Sequence, residues 1–542
     1  MFQLKCLLLL VVVFFVSSNY TLSVRNNIIK FELHDYSERE IVIGSKGYSK
    51  FTIDNSIRTD KIGYPDLPVI RKPLLGFDLS FEYKTTSGYE RETNTIISVR
   101  DYGLRCGNRT KAEYLFSDVY YADEYYPSEI VSLKKFYSNK GIINGYMLEI
   151  NPISYNPFRK QLIIIHALEL ELFDLKSDNK INVPTTDYNL FEQLFLNFKD
   201  YRNYMNKQPD RILIISANRF YQSGVRLTKH KQSLGHPVVF KQVSEISPDK
   251  NSSEIKAYIK ELFNEEASLK YTILIGNEND IPMMFSEAIY SKSDAVYGQL
   301  TNETYNVNVF VSRITGKNSY DVDKQLDKIF KYQPNTTKSY EVLGIASDEI
   351  QPGVPTDCDL MRRLHKMINL SNRTRIFNFE LECDPIANKE KIKLFINKGM
   401  HFVDYIGHGN GTRWVTSDFN TTDAYNLLNN YVNPIIIDVS CNNGNLPLNP
   451  CLAESLLASN EYGSGALSMY SSIPTAEWIP PVHMQYFAHY ILHYGNQDVT
   501  VGQMAYGGTL MACVMYPGYS CKKLTDGYIL YGDGSLLIKN KI

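Results

Sequence analysis

The stretches "FVDYIGHG" (402–409) and "PIIIDVSC" (434–441) decide how this chain reads. Each is a short, nearly unbroken apolar run that stops at a chemically capable side chain, His408 in one and Cys441 in the other. Runs of that length bounded by turn residues read as strands buried on both faces, the kind found in parallel sheets. His408 stands between Gly407 and Gly409, and Cys441 is followed by Asn442, Asn443 and Gly444. In open α/β sheets ligands bind outside the carboxyl ends of the strands. If the two strands are neighbours, His408 and Cys441 share one rim.

The same signal recurs on either side. "RILIIS" (211–216), "VVFKQV" (238–243), "YTILIG" (271–276), "VNVFVSRI" (307–314), "EVLGIAS" (341–347), "RIFNFE" (375–380) and "GALSMYS" (465–471) all read as strands, separated by helix-length segments. In one of those segments Ile255, Tyr258, Ile259, Leu262 and Phe263 fall on one helical face behind possible caps at Ser252 and Ser253. Strand and helix alternating in this way imply a mostly parallel sheet, or two side by side. Upstream, residues 28–175 carry alternating runs such as "KQLIIIHALELELF" broken by Gly, Pro and Asn, which predicts a β-rich domain. Residues 176–210 turn polar around one apolar patch, "NLFEQLFLNF", and read as a linker with a docking segment.

The chain of 542 residues has room for roughly three to four domains. Its 57 basic and 59 acidic residues leave no basic footprint of the sort a nucleic-acid binder needs, so no nucleic-acid partner is expected. At the N-terminus Lys5 precedes an apolar run, Cys6 to Val16, too short to span a bilayer, with Ser17 and Ser18 before a plausible cut. Residues 1–18 are therefore read as a signal peptide, and no membrane span is expected in the mature chain. The expected location is secreted or extracellular, with a lysosome-like vacuole as the other destination. Seven cysteines remain beyond Cys6, and an odd number in an oxidising compartment points to at least one free thiol. Sequons, among them Asn410 two residues past His408, fit a glycosylated secretory protein.

A nucleophilic cysteine needs a neighbouring base or cation to lower a thiol pKa of about 8.5, and backbone donors for the oxyanion. Cys441 at a strand end with a flexible backbone after it could meet the second need, and His408 the first. Gly409 would let a substrate approach the backbone closely and offer a second amide. Taken singly, a histidine in a glycine turn is most often structural, and a strand-end cysteine is most often a small buried hydrophobe.

"YIGHG" and "IIIDVSC" are similar to the paired blocks of cysteine peptidases with a caspase-like fold, and from Arg211 onward the chain resembles the gingipains. The likeness runs through "YTILIGNENDIP", "SDAVYGQL", "NVFVSRI", "CDPIANKEKIKLFINKGMHFVDYIGHG", "NPCLAESLLAS" and "LYGDGSLL", and "GYPDLPV" (63–69) looks like a stretch of gingipain propeptides. The resemblance implies an α/β catalytic domain of two sheet-bearing subdomains with mostly parallel strands, behind a β-rich propeptide. It makes Cys441 the nucleophile, His408 the group that protonates the leaving amine, and Glu349 the acidic partner of that histidine. Read alone, Glu349 is a solvated loop carboxylate. Asp357 falls at the floor of the primary specificity pocket of the arginine-specific members, although Pro355, Thr356 and Asp357 before a helical run also read as a cap. Asp359 is the alternative match. A buried carboxylate selects arginine through bidentate bonds. Trp478 falls where gingipains place an aromatic wall, against the alternative of a core tryptophan.

Three departures accompany the likeness. Asn277 replaces an aspartate in a region that helps build a calcium site, so no cofactor is required and a structural calcium is only an option. Pro481 stands where a larger side chain is usual. The sequence ends at Ile542 without the domains that come next in bacterial gingipains, so a surface-anchored assembly is not implied.

The reading is thus a zymogen: signal peptide 1–18, propeptide and linker 19–202, then catalytic subdomains 203–337 and 338–542. It would cleave protein or peptide substrates after a basic residue, with its own propeptide as inhibitor and Arg202 as the processing site. The rivals are a legumain-like peptidase selecting Asn or Asp, a transpeptidase, and an inactive binding or adhesion protein on the same scaffold.

Overall fold

The computed structural model describes residues 15–16, 19–25, 27–100, 114–140, 142–175, 180–266, 268–301, 307–334, 339–347, 355–370, 375–377, 388–448, 450–495 and 497–539. The candidate signal peptide lies outside them except for Phe15 and Val16. No helix among the described residues is long and apolar enough to cross a membrane.

The N-terminal part is antiparallel β-structure. Leu79–Glu92 pairs with Gln161–Asp174, and Pro68–Gly76 pairs with Ile143–Ile150. In Gln161–Asp174 the alternation of the sequence becomes alternation of burial, with Leu168, Leu170 and Leu172 inward and Glu171 in solvent. The phase changes once: consecutive Ile164 and Ile165 are both buried where the register shifts before Leu168. An extra residue in one strand of a pair has that effect.

The remainder is built on one ten-stranded sheet. In chain order its strands are β1 (Arg211–Ser216), β2 (Val238–Gln242), β3 (Leu269–Ile275), β4 (Phe310–Ile314), β5 (Ser339–Ala346), β6 (Arg375–Phe377), β7 (Phe402–Ile406), β8 (Ile435–Val439), β9 (Ser468–Ser472) and β10 (Tyr528–Tyr531). In space they run β2-β1-β3-β4-β10-β9-β8-β7-β5-β6. Every pairing is parallel except β9 with β10. The sheet therefore changes direction once. The carboxyl ends of β5 to β9 form one rim, and those of β1 to β4 and β10 form the opposite one. His408 and Cys441 come directly after β7 and β8, which fixes the rim where their chemistry can occur.

On the other side of β10 from the reversal, β4 and β10 pair in parallel only through Arg313 and Tyr531. Arg313 is fully buried, and its guanidinium grips Asp294 through two bonds of 2.6 and 2.7 Å. It also donates to the carbonyls of Gly276 and Asn277. A buried guanidinium needs such full satisfaction, because an unpaired charge in the interior is costly.

The helices flanking the sheet include α1 (Thr185–Leu194), α2 (Asp357–Leu370), α3 (Pro480–Tyr494) and α4 (Val501–Met515). Of these, α2, α3 and α4 pack on β5, β8 and β4 respectively, and α1 packs on α4. The apolar patch of residues 189–198 does not hang loose. Leu190, Phe191, Leu194, Phe195 and Phe198 share one core with Ile212, Tyr271, Phe310 and Tyr506 of the sheet domain. Beside it Asp187 and Lys270, both buried, pair at 2.6 Å.

Candidate active site

Strands β7 and β8 are adjacent and in parallel register, with Ile406 opposite Val439. The Gly407 amide donates to the Val439 carbonyl at 3.1 Å, carrying the pairing past the strand ends. Extended two residues past the strand ends, that register brings His408 to the level of Cys441, and Gly409 next to it meets the Cys441 carbonyl. Gly409 explains why the approach is close: a Cβ there would overlap the Cys441 carbonyl oxygen and lie 2.7 Å from Ser440 Oγ and 2.8 Å from Asn443 Nδ2. Only glycine lets the two loops touch.

Both loops are pinned by side chains. Asn443 accepts from the Gly411 amide at 3.1 Å and donates to Ser440 Oγ at 2.8 Å, tying the histidine loop to the cysteine loop. Asn442 takes a left-handed conformation, φ +63°, which Asn tolerates better than most residues. Its amide donates to the Pro474 carbonyl, and Gly444 donates to the Ser472 carbonyl. The segment after β9 is thereby held over the rim. That segment gives two contacts to the site: the Ala476 amide donates to Cys441 Sγ at 3.3 Å, and Trp478 meets the His408 ring edge-on with centroids 6.1 Å apart.

Under the rim lies a carboxylate that the sequence reading passed over. Asp438, fully buried in β8, accepts from Trp414 Nε1 at 3.1 Å and from Ser471 Oγ at 2.7 Å. Trp414 is stacked between Tyr405 and Phe419, and Tyr405 donates to the His408 carbonyl at 2.8 Å. The loop carrying His408 thus rests on a tryptophan anchored to the strand carrying Cys441. Burial pushes the Asp438 carboxyl up to about 6. An acid inside an otherwise apolar strand, "IIIDVS", was the available signal.

The structure separates the readings of "PTDCDL". Thr356 Oγ1 accepts from the Asp359 amide at 3.0 Å, and the Asp359 carboxylate accepts from the Thr356 amide at 3.3 Å. This is a reciprocal cap of α2. Asp359 also pairs with Arg362 at the surface. Asp357 points the other way, fully buried, and accepts from Ser347 Oγ at 2.7 Å at the end of β5, which neighbours β7. The cap is Thr356, and Asp357 faces the rim.

The remaining expected residues are more scattered. Glu349 lies outside the described residues. Arg202 is exposed in a tight turn, Arg202–Tyr204, before the strand Met205–Gln208. Pro481 is in the first turn of α3 and lines a 210 Å³ hollow beside Ala476. Asn410 is exposed and spends its side-chain carbonyl on the Thr412 amide and hydroxyl. Among the described residues Cys451 is a free thiol, buried, with its pKa pushed up to about 12 by burial. Cys513 pairs with Cys521, whereas Cys441 and Cys358 are each disulfide-bonded.

The donors around Asn277 do not fit a calcium ion. Asn277 Oδ1 accepts from the Asn279 and Asp280 amides, the Gly276 and Asn277 carbonyls are held by Arg313, and Asp280 is gripped by Arg219 at 2.6 and 2.8 Å. Two guanidinium groups already satisfy the oxygens a cation would use.

A cysteine and a histidine on adjacent strand ends of a parallel sheet define the cysteine-peptidase class of caspase-like folds. The model of peptidase family C25 matches residues 205–539, and this chain belongs to that family. It is 26% identical to gingipain R1 of Porphyromonas gingivalis over 516 residues, 91% of this chain and 51% of that protein. Over 526 residues it is 26% identical to gingipain R2 of the same organism, covering 92% of this chain and 70% of the relative. The Lys-gingipain W83 match is 20% identical over 483 residues, 82% of this chain and 27% of the relative. The chain spans about half the length of gingipain R1. Among solved structures, that of the Arg-specific cysteine proteinase gingipain R matches with a TM-score of 0.57 and 28% identity, over 61% of this chain and 78% of that one. A complex of pro- and mature domains from Porphyromonas gingivalis matches with a TM-score of 0.57 and 27% identity, over 60% and 79%.

The raised carboxyl of Asp438 has a testable pH signature. It titrates near 6 in the folded chain and near 3.9 when unfolded, so the folded protein holds this proton more tightly. Its contribution to stability is fullest below about pH 4 and is lost as pH rises through about 6. Asp438→Asn keeps an acceptor for Trp414 without the titration. In chemical denaturation between about pH 4 and 7, wild type should lose about 2–3 kcal/mol relative to the variant. Parallel curves would show that Asp438 does not titrate in this window.

Proposed function

We propose that this protein is a cysteine endopeptidase, exported as a latent precursor, that cleaves protein or peptide chains after a basic residue, arginine foremost. The observation that carries the reading is the register that brings His408 to the level of Cys441, with Ala476 and Trp478 spanning both. Asp357 and Trp478 seat the basic side chain: the carboxylate takes the guanidinium bidentately and the indole packs along it. The Cys441 thiolate attacks the adjoining carbonyl carbon, forming a C–S bond. The Cys441 and Gly409 amides hold the oxyanion. As the C–N bond breaks, His408 donates a proton to the departing amine, and water then hydrolyses the thioester. Glu349, by likeness to the arginine-specific relatives, steadies His408. This chemistry calls for no metal.

Latency has support of its own. Asp357 and Cys441 are fully buried, Trp478 is 3% exposed, and Cys441 is disulfide-bonded. A sulfur in a disulfide has no thiolate to offer. Exchange with an external thiol forms a mixed disulfide at one sulfur and releases the other as a thiolate. The complex of pro- and mature domains of a relative accords with a propeptide that acts as inhibitor.

Three outcomes are expected. Fluorogenic peptides differing only in the residue before the cut should be hydrolysed only after a dithiol is added, and arginine should rank above lysine, asparagine and aspartate. Equal turnover without reductant would contradict oxidative latency, and an asparagine preference would favour the legumain-like alternative. Asp357→Ala should lower kcat/KM for the arginine peptide by about 100-fold or more, in line with roughly 2–5 kcal/mol for one partner of a buried charge pair, while leaving the neutral peptides nearly unaffected. An unchanged arginine preference would remove Asp357 from the pocket. N-terminal sequencing of the matured protein should begin at Asn203, and the Cys441→Ala chain should stay uncut. Processing of that variant after Arg202 in purified protein would rule out self-maturation.

A further inference from the structure

Away from the rim, α2, α3 and α4 face the N-terminal part across a cavity of about 890 Å³. Its size lies within the range of small-molecule pockets, and the junction between two parts of a chain is a usual place for one. The walls are largely apolar: Tyr486, Phe487 and Tyr490 from α3, Leu364 and Met367 from α2, and Met515 from α4. The α3 aromatics form a continuous strip, Phe487 meeting both Tyr486 and Tyr490.

The charged groups in the lining are lopsided. Arg202, Arg363 and Lys366 share the lining with a single carboxylate, Glu192, which already accepts from Gln497. Arg71, Lys72 and Lys199 also line the cavity but are engaged by other groups, Arg71 by Glu149 and Asp60. Arg202, Arg363 and Lys366 are exposed, so they belong to the solvent side of the lining, whereas Lys72 is partly buried and its ammonium is pushed down to about 8 by burial. An apolar trough with cations on its solvent side suits a ligand with a hydrocarbon body and an anionic head. A hydrated inorganic anion gains nothing from the aromatic strip, and a neutral hydrocarbon gains nothing from the cations.

We propose that this cavity binds a single-chain anionic amphiphile, a fatty carboxylate, with its chain along the α3 aromatics and its head beside Arg202, Arg363 and Lys366. The ligand touches both sides of the junction, so it ties the N-terminal part to the sheet domain. It also lies against the first turn of α3, where Val482 and His483 line the cavity four and five residues after Trp478.

The test uses the full chain kept oxidised, with cis-parinarate as fluorescent probe and oleate as competitor, below the concentration at which oleate forms micelles. Saturable one-to-one binding displaced by oleate is expected, with a rise in melting temperature. Oleyl alcohol, of the same shape but uncharged, should compete at least about tenfold less well. Arg363→Glu combined with Lys366→Glu should weaken oleate by a similar factor. Should that variant misfold by circular dichroism, Met367→Trp, which fills the trough, should abolish displacement instead. The proposal is overturned by non-saturable binding, by equal competition from alcohol and carboxylate, by displacement with polyglutamate and not oleate, or by folded variants that bind oleate as wild type does.

Discussion

Everything at the candidate site depends on the register between β7 and β8. Side chains alternate across a strand, so a slip of one residue would turn His408 or Cys441 to the other face of the sheet. The pairing Ile406–Val439 is protected against that slip from both sides. Gly409 against Ser440 and Cys441 leaves no room for another residue, and Trp414 reaches under the loop to Asp438 of the facing strand. The glycines around His408 therefore do more than turn the chain. They permit a backbone-to-backbone contact that a side chain would forbid, and the cysteine loop is placed by that contact.

The reversal in the sheet gives the same region its direction. Had β10 continued the parallel run, the ends of β3 and β4 would have joined the rim of β7 and β8. Because β10 is antiparallel to β9, they lie at the far edge, and the acidic residues after β3 are occupied with guanidinium groups there. Arg313 bears the cost of a joint made by one residue pair. Its charge is compensated by Asp294, and its remaining donors are taken by backbone carbonyls.

Much of this was legible in the chain. Strands covered on both faces announce themselves as apolar runs, which is why β1, β3, β7 and β8 could be read from "RILIIS", "YTILIG", "FVDYIG" and "PIIIDVS". His408 and Cys441 were legible because they end such runs. What stayed hidden depends on contacts between residues distant in sequence. The order that seats β10 between β4 and β9 leaves no local pattern, since one strand end near the C-terminus joins two halves. Asp357 and its alternative match Asp359 both stand in the first turn of one helix, and only the position of Ser347 shows which carboxylate turns inward. The odd cysteine count pointed to a free thiol but could not say which. Among the described residues Cys451 is such a thiol, buried behind the rim, while Cys441 is oxidised.

Cys441 and Cys451 show how burial and bonding divide one chemistry between two positions ten residues apart. Cys451 carries a free sulfur, yet desolvation pushes its thiol up to about 12, so almost none of it is thiolate at neutral pH. It packs as a small hydrophobe among the residues behind β7 and β8. Cys441 is equally buried, but the Ala476 amide points at its sulfur and Trp478 closes on His408 beside it. An amide donor stabilises negative charge on the atom it faces, and an imidazole alongside can take up or return a proton. In the proposed mechanism, opening the disulfide leaves Cys441 with both of these neighbours. On that proposal, reactivity at this rim is a matter of what faces the sulfur, and of its bonding state, more than of whether a sulfur is present.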